Sequence, residues 1–450
     1  MNGRSVELLA PAGNYRNLEY AIAYGADAVY AGQPRYSLRV RNNDFKLDTL
    51  KRGIDLAHQH GVKFFVASNI LPHNSKIRTY MDDMEPVIAM KPDALIMADP
   101  GLIMLVRERW PEQEIHLSVQ ANAVNWAAVR FWQSVGIKRV ILSRELSLEE
   151  IEEIRQRCPD IELEVFVHGA LCIAYSGRCL LSGYANHRDP NQGSCTNTCR
   201  WKYDAHPAME TLEGNYVPVV EPEVRLGEPT LGIGKPTDQV VLLQEETRPG
   251  EYMPAFEDEH GTYIMNSKDL RAVQHVQRLI EMGVDSLKIE GRTKSHYYVA
   301  RTTQVYRRAI DAALSGEPFD MRLMDDLEKL SNRGYTEGFY RRHVHDEYQS
   351  YEQGSSQGVK QQFVGEVIAV DREQGLLTLE AKNRFAIGDR LELMTPGGNL
   401  EFELTEMFDE GGAPKPVAPG SGHVVRIPVP GDVLDEKALL LKALQSSVNS

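Results

Sequence analysis

Short apolar runs recur through the first two-thirds of the chain, each closed by a polar residue or a glycine. They are Glu7–Ala10, Asp27–Ala31, Lys63–Asn69, Ala94–Asp99, Ile115–Gln120, Arg139–Ser143 and Leu163–His168. Stretches with helical spacing lie between them, as at Leu18, Ile22 and Ala23 and over residues 47–60. Strands buried on both faces read this way, because helices cover the outside of a parallel sheet. Units repeating at roughly 20–35 residues predict an α/β fold, a (β/α)8 TIM-like barrel in preference to a doubly wound sheet. The eighth strand is expected at Asp285–Glu290, after a helix over Leu270–Met282; a strand-like run at Thr262–Met265 precedes that helix.

After two more helical stretches, at 296–315 and 321–332, the pattern changes. Ser350–Gly358 is a polar linker, and beyond it Phe363–Val370, Leu376–Leu379, Arg390–Leu393 and His423–Ile427 read as short strands. Turns fall at Asp371–Gly375, Pro396–Asn399 and Glu410–Gly412. This spacing predicts a small all-β C-terminal barrel. The expected organisation is a catalytic barrel over 1–349 with a Cys-rich and acidic insertion after strand seven at 170–260, a linker at 350–360, and the β-barrel at 361–446.

Composition adds limits. In 450 residues, 42% are hydrophobic and 25% charged, which is ordinary for a globular protein with a large core. Met1–Gly13 lacks a basic segment followed by a long apolar run. No stretch approaches the roughly 18 apolar residues a membrane span needs. The expectation is a cytoplasmic protein without a membrane partner. The net charge of −14 argues against a general nucleic-acid binder. The deficit is local, however: residues 204–260 carry a net −10, which leaves −4 for the rest.

Cys172, Cys179, Cys195 and Cys199 crowd a Gly-, Asn- and Ser-rich stretch; the other cysteine is Cys158. A reducing compartment disfavours disulfides. Structural zinc wants pairs about two to four residues apart, which Cys195 and Cys199 meet and Cys172 and Cys179 do not. Unevenly spaced thiolates suit an iron–sulfur cluster, and zinc or unligated thiols stay open. In a (β/α)8 barrel the chemistry sits at the C-terminal strand ends. The polar candidates there are Asn69, Asp99, Ser118, Gln120, Arg144, Glu145, His168, Lys288, Glu290 and Arg292, with Arg35 and Arg39 just after strand two. His168 could pair with Cys172 as base and nucleophile, but only if that thiolate is not a metal ligand. The Cys199–Tyr203 run and the cations Arg301, Arg307, Arg308, Arg341, Arg342 and His343 are further candidates for RNA contact.

The run Glu164-x-Phe166-x-x-Gly169-Ala170-Leu171-Cys172-x4-Gly177-x-Cys179-x-Leu181-Ser182 matches the signature of the collagenase-like "unassigned" peptidase family. Through LLAPAGN, LSVQANAVNW, SRELSLEEIEEIR, MNSKDLRA and LKIEGRTKS the chain resembles the subgroup that converts tRNA uridine to 5-hydroxyuridine. That resemblance implies C5 hydroxylation of the wobble uridine, with prephenate, not oxygen, behind the hydroxyl group. It implies a cluster, of the [4Fe–4S] type, on Cys172, Cys179, Cys195 and Cys199, and hence the iron–sulfur assembly machinery as a partner beside tRNA. On this reading His168, Glu145 and Asp99 are the catalytic candidates. Arg35, Arg39, Asn69, Gln120, Arg144, Lys288 and Arg292 are the substrate-binding ones, because Arg suits planar carboxylates. The alternatives are a cysteine- or metal-dependent peptidase and a non-catalytic RNA-binding module.

Overall fold

The computed structural model describes residues 5–38, 44–171, 269–330, 332, 334–341, 361–420, 422–431 and 435–444, with the backbone of several strands in 203–262. Seven parallel strands run in chain order: β1 (Glu7–Pro11), β2 (Ala28–Gly32), β3 (Lys63–Ser68), β4 (Ala94–Met97), β5 (Ile115–Leu117), β6 (Arg139–Ile141) and β7 (Glu162–Ala170). Six strands follow in the insertion: β8 (Tyr203–Glu210), β9 (Tyr216–Pro218), β10 (Val241–Glu245), β11 (Tyr252–Ala255), β12 (Glu257–Asp258) and β13 (Gly261–Thr262). They form an antiparallel sheet, ordered β11-β10-β8-β9, and a separate β12–β13 pair. Thr262 therefore belongs to that pair and not to the barrel. The short strand β14 (Asp269–Arg271) precedes the eighth barrel strand, β15 (Ser286–Ile289).

β15 pairs in parallel with both β1 and β7, with Leu8 opposite Leu287 and Glu164 opposite Ser286, so the ring of eight closes. The α/β TIM-like barrel expected from periodicity is the fold. Polar N-caps start its helices. Asn14, Asp99, Asn125, Ser147 and Ser295 each accept a backbone N–H from the first turn, and Ser147 forms a reciprocal capping box with Glu150. The helices bury Leu18, Leu50, Ile54, Val106, Ile154 and Val305 against the strands.

The expected helix over Leu270–Met282 is shorter. Asp269–Arg271 pairs antiparallel with the end of β7, and the α-helix spans Val276–Met282. Strand β16 (Tyr335–Thr336) lies parallel to β14. These two strands can attach because β7 has nine residues and outruns its barrel partners. Along it, pairing passes from β15 to β14 at His168.

The barrel interior is unusually charged for a fold whose axis is generally filled by branched apolar residues. Near the N-terminal ends of the strands, Arg139 donates to Glu7, Glu162 and Glu164. One layer up, Lys288 donates to Glu164 at 2.7 Å. Higher still, Arg144 faces Glu290 at 3.5 Å. Apart from the partly exposed Glu162, these ions are largely buried and tied in alternating sign, the arrangement in which buried charge is tolerated.

The C-terminal unit is all-β: β17 (Gln361–Asp371), β18 (Leu376–Ala381), β19 (Phe385–Ala386), β20 (Arg390–Thr395), β21 (Gly398–Glu403), β22 (Val417–Ala418), β23 (His423–Pro428) and β24 (Leu439–Ala443). Its main sheet is antiparallel, ordered β21-β20-β24-β17-β18-β23. It docks on the barrel through the helix His296–Ser315. Arg301, fully buried, donates to Glu392 at 2.7 Å, and Gln304 Nε2 donates to the Thr395 carbonyl at 2.7 Å. Among the described residues no helix is long and apolar enough to cross a membrane.

Candidate functional site

The C-terminal mouth of the barrel gathers three cations around two aromatic rings. Tyr30 stands on β2 and Phe166 on β7. The Lys288 ammonium lies 4.3 Å from the Tyr30 ring centroid and 5.5 Å from that of Phe166. The Arg144 guanidinium stacks over Phe166 at 3.7 Å, and that of Arg292 sits 5.7 Å from the Tyr30 ring. Aromatic faces attract cations, but three positive charges this close repel one another. Glu164 and Glu290 supply partial compensation. Burial lowers the Lys288 amine below the ordinary lysine value, and the Glu164 carboxylate works against that shift. Burial likewise acts to raise Glu164, and Lys288 and Arg139 overcome it to hold its carboxyl below the usual range.

Around this cluster lie hydrogen-bonding groups from neighbouring strand ends. Asn69 donates to Ser118 Oγ at 3.1 Å and accepts from the Leu38 amide at 3.1 Å. Arg292 donates to the Leu38 carbonyl at 3.0 Å, which ties the end of the eighth strand to the loop after β2. The loops close tightly here: a Cβ on Gly13 would stand 1.8 Å from the Arg292 carbonyl oxygen, so the site admits glycine alone. Two buried atoms in the β2 loop, Gln33 Oε1 and Ser37 Oγ, have no hydrogen-bond partner among the described residues. Buried polar atoms are normally satisfied, so a polar ligand at this mouth would meet waiting groups.

Of the residues singled out from sequence, Asn69, Arg144, Lys288 and Arg292 converge on this mouth, and Gln120 follows β5 with its backbone N–H donating to Ser118 Oγ at 3.3 Å. Glu145 accepts the Ser143 hydroxyl, which also contacts Asn122 Oδ1 at 3.0 Å. Asp99 takes a different part: its Oδ1 caps the helix Pro100–Arg109, accepting the Leu102 amide at 2.9 Å. Arg35, in the left-handed region at φ 73°, turns outward to Asp83 Oδ2 at 2.6 Å. Arg39, Cys172, Cys179, Cys195 and Cys199 lie outside the described residues, as do Arg342 and His343. Arg301 is no phosphate candidate, being sealed in its ion pair with Glu392. Arg307 is paired with Asp27 and Asp311.

His168 is the clearest correction. At the end of strand seven it was expected to face the mouth. The β7–β15 register slips between Lys288 and Ile289, so that Phe166 faces Lys288 but His168 faces Ile289. One extra residue reverses the alternation of side chains. The imidazole is thereby turned away from Lys288 into a box of tyrosines, with ring centroids 5.8 Å from Tyr298, 5.6 Å from Tyr306 and 5.5 Å from Tyr335. Nδ1 lies 3.4 Å from the Tyr306 hydroxyl. Burial pushes its pKa down to about 3, so the ring is neutral at physiological pH.

Glu164, Tyr30 and Phe166 are site residues for which no role was assigned from the sequence. A lone glutamate inside the apolar run LEVFVH is the signal for the first, because an unpaired charge does not sit in a buried strand. A cavity of about 650 Å³ lies elsewhere, between the helix Arg322–Glu328 and the β20–β21 turn. It is lined by interleaved acids and bases, and Lys329 there already bridges Asp326 and Glu392.

The sequence pattern of peptidase family U32 matches residues 13–350, and that of the peptidase family U32 C-terminal domain matches residues 359–441. A protein of Escherichia coli called tRNA hydroxylation protein P is 63% identical over 97% of this chain and 96% of its own. One of the same name from Haemophilus influenzae is 62% identical over 97% and 96%. A solved U32 peptidase structure shares 13% identity over 65% of this chain and 95% of its own, with a TM-score of 0.38.

Proposed function

The chain belongs to peptidase family U32, and on that footing we propose that it hydroxylates tRNA, converting the wobble uridine to 5-hydroxyuridine with prephenate as co-substrate. The observation that carries the tRNA part is end-to-end identity above 60% to two proteins named for tRNA hydroxylation. The co-substrate part is supported by the mouth. Prephenate is a dicarboxylate, and Arg144, Arg292 and Lys288 form a cationic receptor on the faces of Tyr30 and Phe166. Guanidinium groups hold carboxylates through paired, charge-assisted hydrogen bonds, and the aromatic walls keep water from competing.

The proposal includes a [4Fe–4S] cluster on Cys172, Cys179, Cys195 and Cys199, loaded by the iron–sulfur assembly machinery in the cytoplasm. Four thiolates are the donor set such a cluster takes, and Cys172 stands two positions beyond the end of β7 in the sequence. When bound, a cluster supplies single-electron transfer or a Lewis-acidic iron. The chain's own residues then bind and orient the carboxylates and exclude water. Glu145 and the Ser143 hydroxyl beside it form a pair through which a proton can move.

The cysteine-peptidase reading draws nothing from the described site. It needs an imidazole at the mouth to activate a thiol, and His168 faces Tyr298, Tyr306 and Tyr335 instead.

The test is mass spectrometry of tRNA nucleosides from cells with and without the gene. Deletion is expected to remove 5-hydroxyuridine and its derivatives, and the wild-type gene to restore them where Cys172→Ala does not. Unchanged nucleosides in a strain with no redundant enzyme would contradict the proposal.

A further inference from the structure

We propose that Lys288 is a nucleophile that condenses with the ketone of an α-keto acid bound at the barrel mouth, forming an imine. This rests on the reading that a keto acid is the co-substrate and adds a covalent step to it.

Three features of the site point there. The first is the placement of the amine. Lys288 stands on the eighth strand, on the same two rings that carry Arg144 and Arg292. A keto acid whose carboxylate is gripped by a guanidinium presents its carbonyl carbon one bond away. An amine beside those guanidiniums is therefore placed to attack it.

The second is the proton acceptor. A lysine attacks only as the free amine, so its proton needs somewhere to go. Glu164 Oε1 lies 2.7 Å from Lys288 Nζ, and the carboxylate is fixed by Arg139 Nη1 on Oε2 at 3.1 Å. Burial of Lys288 weakens its hold on the proton. A purely structural ion pair requires the carboxylate partner, but it does not require two further cations crowding the same rings.

The third is the exclusion of water. Lys288 is 3% exposed and Glu164 is fully buried, under the rings of Tyr30 and Phe166. Imine formation expels a water molecule, and a site walled by aromatic faces opposes its return.

The step balances without any redox partner. The Lys288 ammonium gives one proton to Glu164, and the free amine forms an N–C bond to the carbonyl carbon as the C=O π bond opens. Glu164 returns its proton to the resulting oxygen, then takes a second proton from the nitrogen and passes it to the hydroxyl so formed. The C–O bond then breaks and water leaves. The product is an iminium that carries the positive charge the ammonium had. This cation, conjugated to the acid's carbon skeleton, is an electron sink that the bare ketone is not.

The experiment uses the full-length protein with prephenate at neutral pH. Binding is measured by equilibrium dialysis, and a parallel sample receives sodium cyanoborohydride, which reduces iminium ions, followed by peptide mass spectrometry. The expected result is a mass gain equal to the keto acid less one oxygen atom, on the peptide containing Lys288, absent without prephenate. Lys288→Arg keeps the charge and is expected to bind prephenate without adduct; the wild-type mapping stands on its own should that variant fold poorly. Prephenate bound but no adduct at Lys288, or an adduct on another lysine, overturns the imine and leaves the co-substrate reading intact. No binding at all overturns both.

Discussion

An imidazole sealed among tyrosines holds a proton poorly, and that makes His168 a reporter of folding. Its folded pKa is pushed down to about 3 by burial, first of all, and then by Lys294 and Arg271. In the unfolded chain a histidine titrates near 6.5. Between those values the unfolded state binds a proton that the folded state refuses, so stability rises with pH. His168's contribution is complete above about pH 6.5 and is lost progressively as pH falls toward 3, at roughly 1.4 kcal/mol per unit. His296, pushed down to about 4 chiefly by burial and further by Arg16 and Lys382, adds to the same slope. Urea midpoints of the wild type are therefore expected to drop between pH 7 and pH 5. His168→Gln, which carries no titrating ring, is expected to show a shallower drop. Equal slopes would place the acid sensitivity elsewhere. The same residue shows how narrow the reach of sequence is. That His168 lies near the end of strand seven was legible, although the strand runs on to Ala170; its direction depends on one slipped register against β15, and no local pattern records a bulge of that kind.

At the scale of elements, the barrel strands were legible because helices cover them on one side, and continuous apolar runs such as KFFVAS and ALIM survive in the sequence. The eighth strand was found within a residue of each end. β24 was missed for a related reason. Leu439 and Leu441 pack into the core shared with the barrel, while Leu440 packs into the core of the C-terminal unit. A strand buried on both faces shows no alternation, and a run of three leucines near the chain end does not announce itself as the centre of a sheet. β14 hides for the opposite reason. Leu270 and Arg271 read as the start of the following helix, and only the overhang of β7 calls them into a sheet. The site was partly legible for a geometric reason: strand ends bring Asn69, Arg144, Lys288 and Arg292 together from distant parts of the chain. Glu164, Tyr30 and Phe166 were not assigned, because a residue inside a strand gains its role only from what the closed barrel sets opposite it.

At the scale of the whole molecule, the two units are joined by buried charge. Arg301 from the barrel's long helix reaches Glu392 of β20, and Lys329 and Gln361 complete the shell. Tyr24, from the helix after β1, adds a hydroxyl 3.0 Å from both the Met394 and Lys437 carbonyls. Removing one partner of a buried pair strands the other, which costs about 3–5 kcal/mol. Arg301→Ala is expected to lower stability by that amount and to split one unfolding transition into two, as followed by calorimetry. A single transition at the wild-type temperature would show that the docking does not depend on this pair. The joint matters for a protein proposed to act on an RNA, because these buried contacts hold the C-terminal sheet against the barrel.

The barrel mouth is proposed to hydroxylate tRNA with the help of a keto acid. The most direct measurement is reconstitution: purified, iron-loaded protein incubated with an unmodified tRNA transcript, with and without prephenate, followed by nucleoside mass spectrometry. The expected product is 5-hydroxyuridine at the wobble position only when prephenate is present, and none from Arg144→Gln protein shown by circular dichroism to be folded at the assay temperature. Formation of 5-hydroxyuridine at the same rate without prephenate, or in Arg144→Gln, would contradict it.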